Sequence, residues 1–298
     1  MDRAEQTLFS LSRDEINQDF TPVRNVLEGA FDKLDELHRN PGSLRGVPTG
    51  LSSLDEMLAG LQDSDLVILA SRPSVGKTSL ALNIAQYAAV DEKTPVGFFS
   101  LEQSKEQLVY RMLSAQADVD GWRLTTGRLE EDDFERIGRA MGELAEAPIF
   151  IDDTPGANFV EMRTKARRLQ LEHGVRLIVV DYMQLAKGRG LENRVQEVSE
   201  ISQALKNMAR ELNAPVLALS QLSRAVESRQ EPRPQLSDLR ASGSIEQDAD
   251  VVMFLYRPDE EERSRVRLFV AKQRNGPTGE ISLFFKGERT KFYEEEER

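Results

Sequence analysis

The loop that follows an early apolar segment constrains this chain more than any other feature. It runs Ser71-Arg72-Pro73-Ser74-Val75-Gly76-Lys77-Thr78, between the apolar run Leu66–Ala70 and the helical stretch Ser79–Ala89. A loop between a buried strand and a helix points backbone N–H groups at an anion, and the helix N-terminus adds its dipole. The pattern therefore predicts a phosphate-binding loop, although Ser71 stands where the usual pattern has its first glycine. The residues expected to bind nucleotide are Ser71, Arg72, Pro73, Ser74, Val75, Gly76, Lys77, Thr78 and Ser79.

A second apolar strand ends in a carboxylate that complements this loop. Lys77 is expected to reach the β- and γ-phosphates of a nucleotide such as ATP, and the Thr78 hydroxyl to bind Mg²⁺. Leu177-Ile178-Val179-Val180 precedes Asp181. In a parallel sheet that strand ends at the same edge as the phosphate loop, so Asp181 is predicted to bind Mg²⁺ through water. A structural aspartate at a strand end is the alternative.

Two more strands carry polar groups to the same edge. Val96–Leu101 is followed by Glu102, a candidate general base for an attacking water. Pro215–Leu219 is followed by Ser220-Gln221, whose amide could sense the γ-phosphate. Each of these side chains could instead cap a following helix.

The order of apolar runs predicts the fold class. Leu66–Ala70, Val96–Leu101, Pro148–Ile151, Leu177–Val180, Pro215–Leu219 and Val251–Leu255 are typical of buried strands, and the first five are separated by stretches long enough for helices. This alternation predicts an α/β fold with a mainly parallel sheet covered by helices on both faces. Arg267–Ala271 and Ile281–Phe285 flank a turn and predict a C-terminal β-hairpin. The acidic run Glu294–Glu297 is expected to be a solvated tail.

The N-terminal region predicts a separate helix. Apolar residues recur at three- and four-residue spacing over Thr21–Arg39, and the run stops at Asn40-Pro41-Gly42. Residues 1–43 are therefore expected to form an N-terminal remnant with this helix, and residues 44–298 the main domain. The apolar stripe could pack on its own domain or dock on a neighbouring subunit.

Several cations have more than one interpretation. Lys272 and Arg274 follow a predicted strand; they could be solvated, pair with the neighbouring acidic run, or reach a neighbour's γ-phosphate in a ring. Two loops that each contain several basic residues could bind a phosphodiester backbone. One holds Lys187, Arg189 and Arg194; the other is a long connection after Gln221, expected to be structureless, which holds Arg224, Arg229, Arg233 and Arg240.

Composition excludes some classes of site. The chain has no cysteine and two histidines, which excludes disulfides and thiolate metal sites and disfavours a histidine-based one. No apolar run could span a bilayer and no secretory signal begins the chain, so a cytoplasmic location without membrane contact is expected. The net charge of −12 disfavours a nucleic-acid partner. In a ring, however, only the loops around the hole need positive charge, so net charge does not decide the matter.

Six motifs in order give the chain a family resemblance. It resembles the C-terminal motor domain of the DnaB-type replicative DNA helicases, through SRPSVGKT, FFSLEQS, IVVDYMQL, LALSQLSR, DLRASGSIEQDAD and AKQRNGP. The resemblance implies a RecA-like P-loop NTPase core and an ATP-dependent DNA helicase that uses Mg²⁺. It also implies a homohexamer on single-stranded DNA, served by a helicase loader and other replisome proteins.

The family's residue roles carry over to matching positions. Lys77 and Thr78 match the nucleotide and metal ligands, Glu102 the catalytic glutamate, Asp181 the metal-associated aspartate and Gln221 the γ-phosphate sensor. Lys272 and Arg274 match the pair that acts on the adjacent subunit's nucleotide. Arg240, Ala241, Ser242 and Gly243 match the loop that binds the DNA backbone, and Thr21–Arg39 the linker helix that docks on the next subunit.

The sequence departs from the family at a few points. Gln103 stands where methionine is usual and Ala241 where an acidic residue is common. The family's N-terminal collar domain is absent from this sequence, so primase binding is not expected. Two alternatives are a recombinase-like filament ATPase and a ring ATPase that remodels a protein partner with little DNA affinity.

Overall fold

A mixed nine-stranded sheet forms the framework of the main part of the molecule. The computed structural model describes residues 22–39, 44–181, 183, 194–229, 233–239, 242–259 and 261–295. Its helices are α1 (Val23–Arg39), α2 (Ser52–Leu58), α3 (Lys77–Gln86), α4 (Lys105–Ala117), α5 (Gly121–Thr126), α6 (Glu131–Glu146), α7 (Phe159–His173), α8 (Arg194–Leu212) and α9 (Ser242–Asp248). Its strands are β1 (Leu66–Ser71), β2 (Val96–Ser100), β3 (Ile149–Asp152), β4 (Leu177–Asp181), β5 (Val216–Gln221), β6 (Val251–Tyr256), β7 (Arg265–Gln273), β8 (Gly279–Lys286) and β9 (Lys291–Glu294).

The first six strands are parallel, as the sequence predicts. The sheet order is β3-β2-β4-β5-β1-β6-β7-β8-β9, with β1 between β5 and β6. Every residue of β1 is buried, and its side chains alternate between two hydrophobic cores. Val67 and Leu69 face the core that holds α3, whereas Leu66 and Ile68 face the core that holds α8. Burial on both faces explains why the parallel strands are continuously apolar in sequence.

Helix boundaries follow local capping chemistry. Ser104 and Gln107 form a reciprocal capping box at the start of α4, and Asn158 and Glu161 form another at the start of α7. Gly174 ends α7 in the left-handed conformation that glycine adopts without steric cost. These signals mark where α4 and α7 begin and where α7 ends.

The C-terminal strands contain the predicted hairpin and one strand that was not predicted. β7 pairs antiparallel with both β6 and β8, which confirms the hairpin. β9 pairs antiparallel with β8 and includes Glu294. The expectation of a solvated tail from Glu294 was wrong at that residue. Its carboxylate accepts hydrogen bonds from the backbone amides of Ser52 and Ser53, at 3.0 and 2.8 Å, and so caps the first turn of α2.

The connection between β5 and β6 is also more ordered than predicted. It contains two 3₁₀ turns, Arg224–Ser228 and Leu236–Asp238, and helix α9. Leu222, Val226 and Leu239 are buried in the α8-side core. Isolated apolar residues in short turns have no 3.6- or 2-residue period, so periodicity could not detect them.

The chain divides into two compact units, Met1–Ser43 and Leu44–Arg298. In the first, α1 confirms the predicted helix. Val23, Leu27 and Phe31 lie one helical turn apart along one side of α1, and each is at least 60% exposed. Among the described residues, no helix is both long and apolar enough to cross a membrane.

A half-buried carboxylate at the amino end of β1 makes stability depend on pH. Asp65 precedes β1 and Asp250 precedes β6, which pairs with β1. Burial, followed by the charge of Asp250, raises the pKa of Asp65 from 3.8 to about 6. Because the folded state binds the proton more tightly than the unfolded state, the free energy of unfolding falls as pH rises from about 4 to about 6.

Asp65→Asn is therefore expected to stabilise the protein at pH 7. The gain is about 1 kcal/mol after allowance for solvent screening of this half-buried group. Urea unfolding of both proteins at pH 4 to 7 measures the difference, which should shrink toward pH 4. Asp63→Asn, which removes a carboxylate that pairs with Arg176 at 3.8 Å, is the control and should keep the wild-type slope. An unchanged slope in Asp65→Asn would contradict the assignment.

Candidate functional site

The phosphate loop joins β1 directly to α3 with backbone geometry suited to an anion. Ser74 and Gly76 have positive φ angles of 66° and 113°, and α3 begins at Lys77. A Cβ on Gly76 would lie 2.8 Å from Cζ of Phe292, so glycine is required by both conformation and space. Ser71 is the last residue of β1 and has no positive φ, which explains why serine is tolerated in place of glycine.

Polar groups from three strand ends converge on this loop, as predicted. Glu102 and Gln221 line a cavity of about 320 Å³ together with the loop itself, and Asp181 is hydrogen-bonded to Thr78 of the loop. The lining residues are Ser71, Arg72, Pro73, Ser74, Gly76, Lys77, Thr78, Ser79, Glu102, Gln103, Arg111 and Gln221. Val75 differs from its predicted neighbours because its side chain is buried in the α3-side core.

Strand register explains why these groups meet. Ser71 pairs with Gln221 across β1 and β5, and Ser100 pairs with Asp181 across β2 and β4. Parallel strands in register end at one edge, so the groups that follow them share that edge. We call this the carboxyl edge of the sheet.

Asp181 is completely buried and hydrogen-bonded to Thr78 of the loop. The Thr78 hydroxyl donates to Oδ2 of Asp181 at 2.8 Å, while Oδ1 is buried and has no hydrogen-bond partner among the described residues. Burial is the main influence here: it raises the pKa of Asp181 and lowers the pKa of Lys77, although each charge favours the other's ionised form. Glu102 raises the Asp181 pKa further, which indicates that the two carboxylates are neighbours.

The alternative that Glu102 and Gln221 cap the helical turns that follow them is wrong. Ser104 caps α4, and Ser223 accepts from the Ala225 amide to cap the 3₁₀ turn after β5. Glu102 and Gln221 cap neither element and line the cavity instead.

Lys272 and Arg274 lie at the opposite edge, which we call the amino edge. Arg274 follows β7, and its backbone amide donates to the carbonyl of Asp250 at 3.0 Å, immediately before β6 begins. Lys272 donates to the carbonyls of Glu246 and Ala249, the latter at 2.7 Å. Burial and the nearby Arg274 lower the pKa of Lys272. Both cations therefore bind the C-terminal end of α9 and are not simply solvated.

A comparison with known proteins identifies the family. Residues 46–294 match the DnaB-like helicase C-terminal domain. The chain belongs to this family. The replicative DNA helicase DnaC of Bacillus subtilis (strain 168) is 48% identical over 305 residues, which cover 100% of this chain and 67% of that protein.

Solved structures agree with this DnaB-like assignment. An ATPase domain solved on its own has a TM-score of 0.88 at 35% identity, covering 93% of this chain and 100% of that one. A DnaB-like replicative helicase, whose structure was described with its interactions with primase, has a TM-score of 0.83 at 34% identity. That match covers 97% of this chain and 71% of that one. The RecA-like core is thus confirmed, and the chain is the motor of a replicative, ATP-dependent DNA helicase; neither alternative is favoured.

The sequence did not single out every residue that lines this cavity. Arg111 reaches it from α4, and its charge lowers the pKa of Asp181. Arg72, which the sequence did predict, also lines the cavity and donates to the carbonyl of Leu222 at 2.9 Å. Arg111 lies nine positions after Glu102, on a helix whose orientation depends on packing, so no local pattern identifies it.

The structure describes only some of the residues that were predicted to contact DNA. Lys187, Arg189, Arg240 and Ala241 lie outside the described residues, and Arg194 and Ser242 begin helices α8 and α9. Gly243 is exposed in the first turn of α9.

Two arginines of the long connection have structural partners. Arg229 forms a bidentate pair with the buried Asp238 at 2.6 and 2.7 Å. The Arg233 guanidinium lies 4.1 Å from the centre of the Phe269 ring. These contacts do not support a role for Arg229 and Arg233 in binding a phosphodiester backbone.

Proposed function

We propose that this motor hydrolyses ATP at sites shared between neighbouring subunits of a six-membered ring, and thereby moves along single-stranded DNA. The observation that carries the proposal is the division of its charged groups between two edges of one sheet. The nucleotide cavity lies at the carboxyl edge, and Lys272 and Arg274 lie at the amino edge.

The distance between these edges supports action between subunits. Ser71, where the phosphate loop begins, pairs with Leu255 of β6. The backbone of Arg274 binds Asp250, which lies five residues before Leu255 in the chain. Five residues of strand span about 16 Å. The guanidinium also binds Gln247 and Asp250 at the amino edge, which supports the proposal that Arg274 acts on a different subunit's nucleotide. That arrangement is a head-to-tail contact, which closes a ring when its rotation permits.

Within one subunit, each residue at the carboxyl edge has a distinct role. The backbone amides of the phosphate loop bind the β-phosphate, and Lys77 neutralises charge on the β- and γ-phosphates. Glu102 accepts a proton from the attacking water, and Gln221 binds the γ-phosphate through its amide. Arg274 of the preceding or following subunit stabilises the charge that develops as the terminal phosphate leaves.

The donor set fits Mg²⁺. Asp181 keeps one buried oxygen without a partner among the described residues, and the Thr78 hydroxyl lies beside it. Mg²⁺ prefers oxygen ligands and commonly takes one or two protein groups plus phosphate oxygens and waters. Bound there, the ion would neutralise phosphate charge during hydrolysis. Thr78 and Asp181 are the residues proposed to hold it.

We also propose that residues 1–43 dock a neighbouring subunit and residues 44–298 form the motor. Val23, Leu27 and Phe31 lie one helical turn apart along one side of α1, a pattern typical of a helix that packs against another surface. Lys187, Arg189, Arg194 and the segment Arg240–Gly243 are proposed to bind the DNA backbone. The first three positions follow a strand that ends at the carboxyl edge and the last segment leads into α9, so nucleotide state can influence them.

ATP hydrolysis with and without single-stranded DNA tests the proposal, together with light scattering in the presence of ATP. Severalfold stimulation by DNA and a particle six times the mass of the chain are expected. Lys77→Ala is the control and should abolish hydrolysis, which would assign the activity to this site. A monomer that hydrolyses ATP at a rate unaffected by DNA would refute a shared site.

A further inference from the structure

We propose that Asp250 is a positioning residue that holds Arg274 in the orientation needed to reach a neighbouring subunit's nucleotide. This inference rests on the proposed shared site. It concerns a residue that contacts neither the nucleotide cavity of its own subunit nor any reacting atom, so its effect must pass through Arg274.

Asp250 contacts Arg274 through both its backbone and its side chain. Its carbonyl accepts from the Arg274 amide at 3.0 Å, and its Oδ1 lies 3.4 Å from Nε of Arg274. The other carboxylate oxygen, Oδ2, accepts from the Leu66 amide at 2.8 Å and from Nζ of Lys206 at 2.5 Å. Asp250 is 5% exposed, so these partners fix the carboxylate in one orientation.

The end of α9 completes the support for both cations. The carbonyl of Gln247 accepts from Nη2 of Arg274, and the carbonyls of Glu246 and Ala249 accept from Lys272. The last turn of α9 contains no basic residue of its own. Cations from β7 therefore satisfy the carbonyls and the negative end of the helix dipole.

The two carboxylate oxygens of Asp250 have different partners, so one has a structural role and the other positions Arg274. Oδ2 connects β1 and α8 through Leu66 and Lys206, which is a structural role. Oδ1 faces Arg274, and its charge orients the guanidinium. Asp250→Asn keeps the size of the side chain and an oxygen that can accept from Leu66, but it removes the negative charge that faces Arg274.

Asp250→Asn is expected to lower kcat for ATP hydrolysis about 10- to 100-fold, with KM for ATP within about twofold of wild type, because misplacing a catalytic group acts on the transition state. Lys206→Met is the matched control: it breaks the same ion pair from the other side and leaves Arg274 beside Asp250. Thermal unfolding should show similar losses of stability in both variants, while kcat falls only in Asp250→Asn. Equal losses of kcat would show a structural role and overturn the proposal.

Mixing subunits locates the defect. Lys77→Ala subunits have an inactive cavity but a correctly placed Arg274. Asp250→Asn subunits have an active cavity but a misplaced Arg274. In an equal mixture, about one quarter of the interfaces combine the two intact halves, so hydrolysis should recover to about that fraction of wild type. A mixture no more active than its components would place the defect in the variant's own cavity and overturn the proposal.

A parallel mixture separates this inference from the shared site itself. Lys77→Ala with Arg274→Ala should recover in the same way. Recovery there without recovery for Asp250→Asn refutes the positioning role alone, whereas failure of both mixtures refutes the shared site and the inference with it. If Asp250→Asn does not fold, Asp250→Glu replaces it: the charge remains but moves by one methylene, and about a tenfold loss of kcat with recovery on mixing is expected.

Discussion

Arg274→Ala is expected to lower kcat for ATP hydrolysis about 1000-fold, the scale of effect seen when an arginine that stabilises a phosphoryl transition state is removed. KM for ATP should change little, because the guanidinium lies at the amino edge of its own subunit and contributes no contact to that subunit's nucleotide cavity. Steady-state hydrolysis over a range of ATP concentrations measures both parameters. The loss should appear only where subunits assemble.

Arg265→Ala provides a control for this prediction on the same strand. Arg265 is the first residue of β7, at the opposite end of the strand from Arg274. It forms surface ion pairs with Glu262 at 3.0 Å and Glu295 at 3.4 Å. Such exposed pairs contribute little to stability, so this variant should hydrolyse ATP like wild type. If Arg274→Ala lost ATP affinity and kept kcat, the cation would serve binding and the proposed transition-state role would be wrong.

The arrangement of the sheet gives a physical reason for coupling between sites. β6 is completely buried over its first five residues and joins the two edges as a rigid element. Asp250 precedes its amino end, where Lys272 and Arg274 of the paired strand β7 also lie, and its neighbour β1 leads into the phosphate loop at the other end. Packed interiors deform little, so we expect a shift of the cations at one interface to be transmitted to the cavity at the next.

The carboxyl edge could be predicted from sequence because each of its parts is local. An apolar run followed by Lys77 and Thr78, or by Asp181, shows both the end of a strand and the polar groups placed just beyond it. Parallel topology then brings these ends together without any knowledge of packing. The predicted strands differ from the observed ones mainly in their end residues, where local signals are weakest.

The amino edge and the C-terminal strand could not be predicted in the same way. Asp250 lies in a short segment between α9 and β6, and its partners Leu66 and Lys206 are distant in sequence. Only the pairing of β1 with β6 brings them together. β9 was missed because Lys291–Glu294 joins an acidic run, and its one buried residue, Phe292, gives no period.

Glu102→Gln is expected to lower kcat for ATP hydrolysis about 1000-fold, as for the loss of a general base, while ATP binding is retained. Gln keeps the size of the side chain but cannot accept the proton of the attacking water. Single-turnover hydrolysis and binding of a fluorescent ATP analogue measure the two effects separately. The matched control is Glu106→Gln, the same change four residues later in the first turn of α4, away from the cavity lining.

The two variants also distinguish catalysis from an electrostatic effect on Asp181. A Mg²⁺ titration tests this, because Glu102 lies near enough to Asp181 to affect its pKa. Glu102→Gln should hydrolyse ATP slowly at every Mg²⁺ concentration, since the group that is missing is the base that accepts the proton of the attacking water. A variant that regains hydrolysis at high Mg²⁺ would instead show that Glu102 acts by assisting metal binding, and the assignment as general base would be wrong.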